Sequence, residues 1–200
     1  SKIIVPEEHL DYFTERLSRK IARLQVGSPE IDDCFTSAVI SEDSYSRASN
    51  FIYENSDKVI AGGKCDDTTG YYIYPTLLED HSHELELKYG EVFAPVLSIA
   101  GYSPDNLDDT IHHVNSSKYA LTTGIFSNNQ VHFNKFNNIC GNLYFNDKST
   151  GSIVGQQIFG GFRKSGTNDK AGSEHLLTRF GNIQTTKFCY QLREKYTALG

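Results

Sequence analysis

The chain has 200 residues, 38% of them hydrophobic, and a formal net charge of −6. That length fits one domain, or one and a half, and the 12 tyrosines and 12 phenylalanines supply much of the apolar mass, enough for a core that another chain could complete. The acidic balance argues against a nucleic-acid or membrane-surface role, and no apolar run approaches membrane-spanning length.

The spacing of Leu10, Phe13, Leu17, Ile21 and Leu24 predicts a helix over 7–26 with one core-facing stripe. Pro6 suits its first turn and Gly27 its end. Residues 41–55 read as a second helix, with Ser41 as N-cap. Short strands follow at 58–62 and 71–78, where Pro75 marks an edge or a bulge. The acidic stretch Glu79–Glu86 reads as a solvated turn leading into a short helix. His81 and His83 have no third ligand at useful spacing, so no metal site is expected. Strand and helix then alternate: strand 95–102, helix 105–117, strand 121–126, helix 128–140, strand 142–146. This order predicts an α/β fold with a parallel sheet and right-handed crossovers. The adjacent His112 and His113 point in different directions and are expected in solvent. Asn115-Ser-Ser117 matches a glycosylation sequon that nothing else supports. Residues 181–188 alternate and read as a strand, followed by a polar tail. The domain reading is therefore 1–180, then a C-terminal strand and tail over 181–200.

Cys34, Cys65, Cys140 and Cys189 lack the Cys-x-x-Cys spacing of a zinc ribbon or a thioredoxin-type site. They are expected to be free, mostly buried thiols of a reducing compartment. Methionine is absent even at position 1, as expected of a processed, engineered or partial chain, and no signal or transit pattern is visible.

The densest signal is the stretch 147–172. Seven of the 16 glycines fall between Gly141 and Gly172, with Ser149, Thr150, Ser152, Ser165 and Thr167 among them. Backbone N–H groups and hydroxyls there suit an anionic group, while Phe159 and Phe162 can form an apolar wall. Spacing excludes a phosphate-cradling Gly-x-x-x-x-Gly-Lys-Ser/Thr or Gly-x-Gly-x-x-Gly loop. The stretch is either a flexible surface loop or a site. Its position beyond the carboxyl end of the last strand favours a site in an open α/β sheet.

The segment Asp147-Lys-Ser-Thr-Gly-Ser-Ile-Val-Gly-Gln-Gln157 resembles the signature loop of the Δ1-pyrroline-5-carboxylate dehydrogenases, within the aldehyde dehydrogenase superfamily. Ala61-Gly-Gly-Lys-Cys-Asp66 with Gly70-Tyr-Tyr-Ile-Tyr-Pro-Thr76, then Glu91-Val-Phe-Ala-Pro-Val96, then Tyr119–Phe126 and Gly141–Asn146 resemble further family segments in the right order. The resemblance runs from residue 1 to about residue 187. It implies an aldehyde-dehydrogenase catalytic-domain-like fold with a C-terminal strand of oligomerisation type. The family polypeptide is much longer, and its nucleotide-binding half and catalytic cysteine come earlier. Ser1–Pro6 resembles the segment just after that cysteine, so the chain is expected to be the second part of such an enzyme.

Family members oxidise an aldehyde: a cysteine thiolate attacks the carbonyl, hydride passes to NAD, and water releases the acid. An oxyanion site stabilises the tetrahedral species. The resemblance gives this chain binding roles, with no catalytic residue and no metal ligand. Glu91 would hydrogen-bond the nicotinamide ribose, and Phe93 would support the ring. Gly151 and Ser152 would bind the α-carboxylate of glutamate γ-semialdehyde, and Phe159 would pack on its aliphatic chain. Without the resemblance, the same residues read as a capping glutamate and two core phenylalanines. Ala94, Ile158, Phe162 and Ser173-Glu174 depart from the family pattern and bear on substrate geometry. NAD is expected only in a complete enzyme, with none held tightly by this chain alone. Expected partners are other protein chains, as a missing half, a homo-oligomer or a larger complex. The resemblance implies the mitochondrial matrix in a eukaryote, or otherwise the cytoplasm. The alternative function is a non-catalytic structural or assembly subunit derived from the family.

Overall fold

The computed structural model describes residues 1–149, 152–153 and 155–190. The chain packs as two compact units, Ser1–Lys118 and Tyr119–Gly200.

The first unit is built on a four-stranded sheet in the order β1-β6-β5-β2, where β1 is Lys2–Pro6, β2 Val59–Ala61, β5 Thr76–Glu79 and β6 Val96–Tyr102. β6 pairs in parallel with β1 and with β5, and β2 closes the far edge antiparallel to β5. The inner strand β5 is apolar on both faces, because Leu77 and Leu78 point to opposite sides and both are fully buried. On one side Leu77 joins Val5 and Ile99 against Leu10, Leu17 and Ile21 of helix α1 (Leu10–Ile21). On the other, Leu78 joins Ile73, Leu85 and the Ala48, Phe51, Ile52 face of helix α2 (Glu42–Glu54). Ile73 belongs to β4 (Tyr72–Ile73), which forms a small hairpin with β3 (Cys65–Asp66). The apolar run 71–78 is thus split into β4 and β5 around Tyr74-Pro75. The Thr76 N–H that follows donates to the Pro95 carbonyl at 3.0 Å and starts the β5–β6 ladder.

α1 stops at Ile21, short of the predicted 26, because the next residues use their backbone elsewhere. The Gln25 carbonyl accepts from Phe35 N–H at 2.9 Å, and Gly27 N–H donates to the Thr36 carbonyl at 3.3 Å. α2 begins as predicted, with the Ser41 hydroxyl accepting from Ser44 N–H at 3.2 Å. Helix α3 (Leu85–Tyr89) precedes β6, and helix α4 (Leu107–Ser116) follows it.

In the second unit β8 (Thr122–Ile125) and β9 (Asn142–Phe145) pair in parallel through helix α5 (Gln130–Lys135). A second pair joins β7 (Tyr119–Ala120) to β10 (Phe162–Arg163), antiparallel. Chain order predicted strands 95–102, 121–126 and 142–146 in one parallel sheet. The structure instead spends both edges of β6 on β1 and β5, and among the described residues β8 pairs with β9 alone. α5 is shorter than 128–140 because the Asn-rich stretch after it turns, with Asn138 at φ 64. Residues 181–189 form no ladder among the described residues and are exposed, so the strand expected at 181–188 is absent here. Alternation alone does not make a strand without a partner edge to pair with.

Candidate functional site

Glu91 and Phe93 lie on the connection from α3 to β6. Gly90, at φ 72, closes α3 with its N–H on the Glu86 carbonyl at 2.8 Å. The chain then alternates: Val92 and Ala94 pack against the core that holds Phe51 and Leu78, and Phe93 between them faces outward. Phe93 is 77% exposed, and its backbone sits at φ 52, a conformation that costs a bulky residue on the order of 1 kcal/mol. The core-phenylalanine reading therefore fails for Phe93. The Ala94 methyl, a departure from the family pattern, is absorbed by the core beneath the segment. Glu91 is exposed and caps no helix: it follows the C-terminus of α3. Its carboxyl is held above the ordinary carboxylate range, chiefly by partial loss of solvent and further by the charge of Glu86.

The glycine-rich stretch belongs to the second unit. It leaves β9 where Asn146, at φ 54, ties the ends of β8 and β9 together. Asn146 donates from its backbone to the Ile125 carbonyl at 2.8 Å, and its side chain exchanges two 2.9 Å hydrogen bonds with the Ser127 backbone. Ser152 is half-buried, and its hydroxyl donates to the Gln157 carbonyl at 3.4 Å. Gln156 and Gln157 N–H groups both reach the Ile153 carbonyl, at 3.0 and 2.9 Å, which makes a tight turn before Phe159. Gly151, with Thr150 and Val154, lies outside the described residues.

Phe159 is half-buried and its backbone is pinned on both sides. It exchanges two hydrogen bonds with Ala171, at 3.0 and 2.7 Å. The glycines around it serve close approach. A Cβ on Gly141 would stand 1.9 Å from the Gly160 carbonyl oxygen, so strand and loop lie backbone against backbone. Lys170 reaches across this contact, its ammonium on the carbonyls of Gly141 and Gly160. Phe162 enters β10 opposite Ala120.

The acidic turn holds a constellation that the sequence reading missed. Asp80 was expected in solvent, yet it is 1% exposed. One carboxylate oxygen accepts from the N–H groups of Glu84 and Leu85 at 3.0 and 3.3 Å, and the other pairs with Lys2 Nζ at 2.9 Å. Lys2 Nζ lies 3.5 Å from His83 Nδ1, and the His83 ring stacks on His113 with centroids 4.2 Å apart. Burial, then the nearby Lys2 and His113, push the His83 pKa down to about 4. His113 shifts the same way, mainly by burial. The expectation that His113 is solvated is thus corrected; His112, its neighbour, is exposed. The signal available was a carboxylate directly after a buried strand, where either a cap or an ion pair would be needed. No group of His, Cys, Asp or Glu among the described residues is arranged to hold a metal ion. Cys34, Cys65 and Cys140 are free thiols; of the four cysteines only Cys140 is buried, and Cys189 is exposed, so mostly buried thiols are not what is found.

The aldehyde dehydrogenase family pattern matches residues 1–186. The chain belongs to the aldehyde dehydrogenase family. It is 39% identical over 197 residues to the mitochondrial delta-1-pyrroline-5-carboxylate dehydrogenase of Homo sapiens, covering 94% of this chain and 35% of that protein. It is 34% identical over 190 residues to the 1-pyrroline-5-carboxylate dehydrogenase of Bacillus subtilis, covering 93% of this chain and 36% of that one. Among solved structures, a 1-pyrroline-5-carboxylate dehydrogenase from Thermus with bound NAD aligns at a TM-score of 0.79 and 31% identity, over 88% of this chain and 34% of its own. The Mycobacterium tuberculosis Delta-pyrroline-5-carboxylate dehydrogenase aligns at 0.79 and 27%, over 95% and 38%. This aldehyde dehydrogenase chain therefore spans about a third of the length of the relatives it matches. The mixed α/β fold with a mainly parallel sheet is that of the family. No helix among the described residues is long and apolar enough to cross a membrane.

Proposed function

We propose that these residues form the substrate- and cofactor-binding part of an NAD-dependent dehydrogenase that oxidises glutamate γ-semialdehyde to glutamate in proline breakdown. The likeness to pyrroline-5-carboxylate dehydrogenases over 94% of the chain carries this reading. The local geometry supports it. Phe93 presents an open aromatic face on a strained backbone, which fits a flat ring laid against it. Glu91 offers an exposed carboxylate two residues away, suited to accept from ribose hydroxyls. NAD, when bound, accepts the hydride of the oxidation.

On the substrate side, the Ser152 hydroxyl makes a long 3.4 Å bond to the Gln157 carbonyl and can turn toward a carboxylate. Gly151 would add its N–H to the same oxygen pair. Phe159 supplies apolar contact to the methylene chain. The residues described here bind and orient; the nucleophile belongs to the preceding part of the family polypeptide, so the 200-residue chain alone carries no turnover. In cells the complete enzyme would sit in the mitochondrial matrix of a eukaryote or the cytoplasm of a bacterium, joined to its remaining part or to further copies.

The test is NADH formation, followed by absorbance, with glutamate γ-semialdehyde. The whole polypeptide that carries these residues should turn over, the isolated chain should not, and Ser152→Ala should raise KM. A folded whole polypeptide with no turnover would instead favour a structural subunit derived from the family.

A further inference from the structure

The bridge to Ala171 holds the Phe159 backbone along one edge, and a second hold acts on the residues to either side of it. The Asn142 side chain supplies it from the start of β9. Its amide nitrogen donates to the Ile158 carbonyl at 3.0 Å, and its amide oxygen accepts from Gly160 N–H at 3.1 Å. One side chain thus grips the residues on both sides of Phe159. Asn142 is itself immobilised, because its N–H donates to the Leu121 carbonyl at 3.0 Å and its carbonyl accepts from Cys140 Sγ at 3.0 Å. The donor–acceptor pattern requires a carboxamide: a carboxylate could not donate to Ile158, and an aliphatic side chain could do neither.

We infer that Asn142 is the positioning residue for Phe159, setting where the aromatic wall meets the methylene chain of an ω-aldehyde α-amino acid and hence the discrimination for that chain. This rests on the substrate role proposed for Phe159. Only the part of the substrate that touches Phe159 should notice the change. A short unsubstituted aldehyde such as propanal, with neither the α-carboxylate nor the long stem, should be nearly indifferent.

The test compares glutamate γ-semialdehyde with propanal in the whole polypeptide with NAD. Asn142→Ala should lower kcat/KM for the semialdehyde on the order of tenfold, mostly through KM, and leave that for propanal within about twofold. Asn142→Asp, which keeps the acceptor for Gly160 N–H, should fall between. In a Phe159→Ala background, Asn142→Ala should cost nothing further, since its effect passes through the ring. Faster hydrogen exchange at Gly160 in Asn142→Leu, which is close to asparagine in size but offers no acceptor, would show the grip loosened even if the alanine variant does not fold. Equal losses for both aldehydes, or full additivity with Phe159→Ala, would reduce Asn142 to a general structural residue and overturn the inference. If Phe159→Ala itself leaves the semialdehyde unaffected, the substrate reading of Phe159 falls, and this inference falls with it. If Phe159→Ala weakens turnover and Asn142→Ala does not, only the positioning role falls.

Discussion

The turn after β5 and the loop after β9 solve the same problem, fixing an irregular segment, by opposite means. Around Asp80 the work is done by side-chain charge. A fully buried carboxylate takes two backbone N–H groups and the Lys2 ammonium, and so locks the entry to α3 onto β1. Around Phe159 the work is done by the backbone. Glycines let Gly141 and Gly160 touch, and paired carbonyls and amides are stitched by Ala171, Asn142 and Lys170. The first device is intolerant of losing one charge; the second is intolerant of gaining one methyl group.

Asp80→Ala tests the first device and should have the largest effect. It strands the Lys2 ammonium, which is only 15% exposed at its side chain, and should cost about 3–5 kcal/mol in urea denaturation. Removing both charges together, as Lys2→Met with Asp80→Leu, should recover most of that loss. A double variant as unstable as Asp80→Ala would mean that the two N–H bonds of Asp80, rather than the ion pair, hold the turn.

Gly141→Ala tests the second device. With the new Cβ 1.9 Å from a carbonyl oxygen, nothing flexible is there to move, and the loop must shift as a whole. The expected cost is about 3 kcal/mol, with much faster exchange at the Phe159 and Gly160 amides. Gly155→Ala is the control. Nothing among the described residues lies within 4 Å of its added methyl, so the positive φ of 82 is what penalises it, by about 1 kcal/mol. Equal costs at Gly141 and Gly155 would show that conformational freedom, and not close approach, explains the glycines of this region.

Acid should separate the two regions, because the Asp80 turn sets His83 against His113 of α4, both pushed toward the neutral form, while residues 147–172 include no histidine. The His83 pKa is depressed to about 4, below its unfolded value, so the unfolded chain binds the extra proton first. Stability from this residue is full above about pH 6.5 and falls as pH drops toward 4. His113 acts in the same direction. After allowance for solvent screening, the loss from His83 is on the order of 1 kcal/mol. His83→Phe, which keeps an aromatic ring against His113, should flatten the stability profile over that window. An unchanged profile would place the acid sensitivity elsewhere.

The contrast between the regions also explains what could be read in advance. Apolar periodicity names what side chains bury, so Leu10, Leu17, Ile21 and the run 95–102 were legible as the faces of α1 and β6. Family-like motifs brought Glu91, Phe93, Ser152 and Phe159 forward. Partnership was not legible. Chain order could not say that β6 would have both edges taken by β1 and β5, or that 181–188 would form no ladder among the described residues. Asp80 looked like one acid among several, because burial depends on Lys2, 78 positions away, reaching back through a parallel strand pair. Asn142 escaped notice because a carboxamide at a strand start carries no pattern; only the carbonyl of Ile158 and the amide of Gly160, brought beside it, show its use.

The smallest effect belongs to the start of α2, where a side chain serves a backbone amide as Asn142 does, but at a helix end. The Ser41 hydroxyl accepts from Ser44 N–H at 3.2 Å and also meets the Ser44 hydroxyl at 3.2 Å. Ser41→Ala removes one of the N–H partners the first turn lacks and should cost about 1 kcal/mol. Ser41→Asp should restore that, since a carboxylate caps as well and its charge favours the helix N-terminus. The rest of the first turn stays anchored through the Ala48, Phe51 and Ile52 face of α2, which keeps the penalty small. At Gly160 no helix stands behind the segment, and Asn142 serves two backbone groups rather than one, so losing it should be felt more strongly there than losing the cap here. Comparing exchange at the Ser44 and Gly160 amides in Ser41→Ala and Asn142→Leu decides the point. A larger change at Ser44 would mean that the grip on Phe159 is redundant with the Ala171 pair.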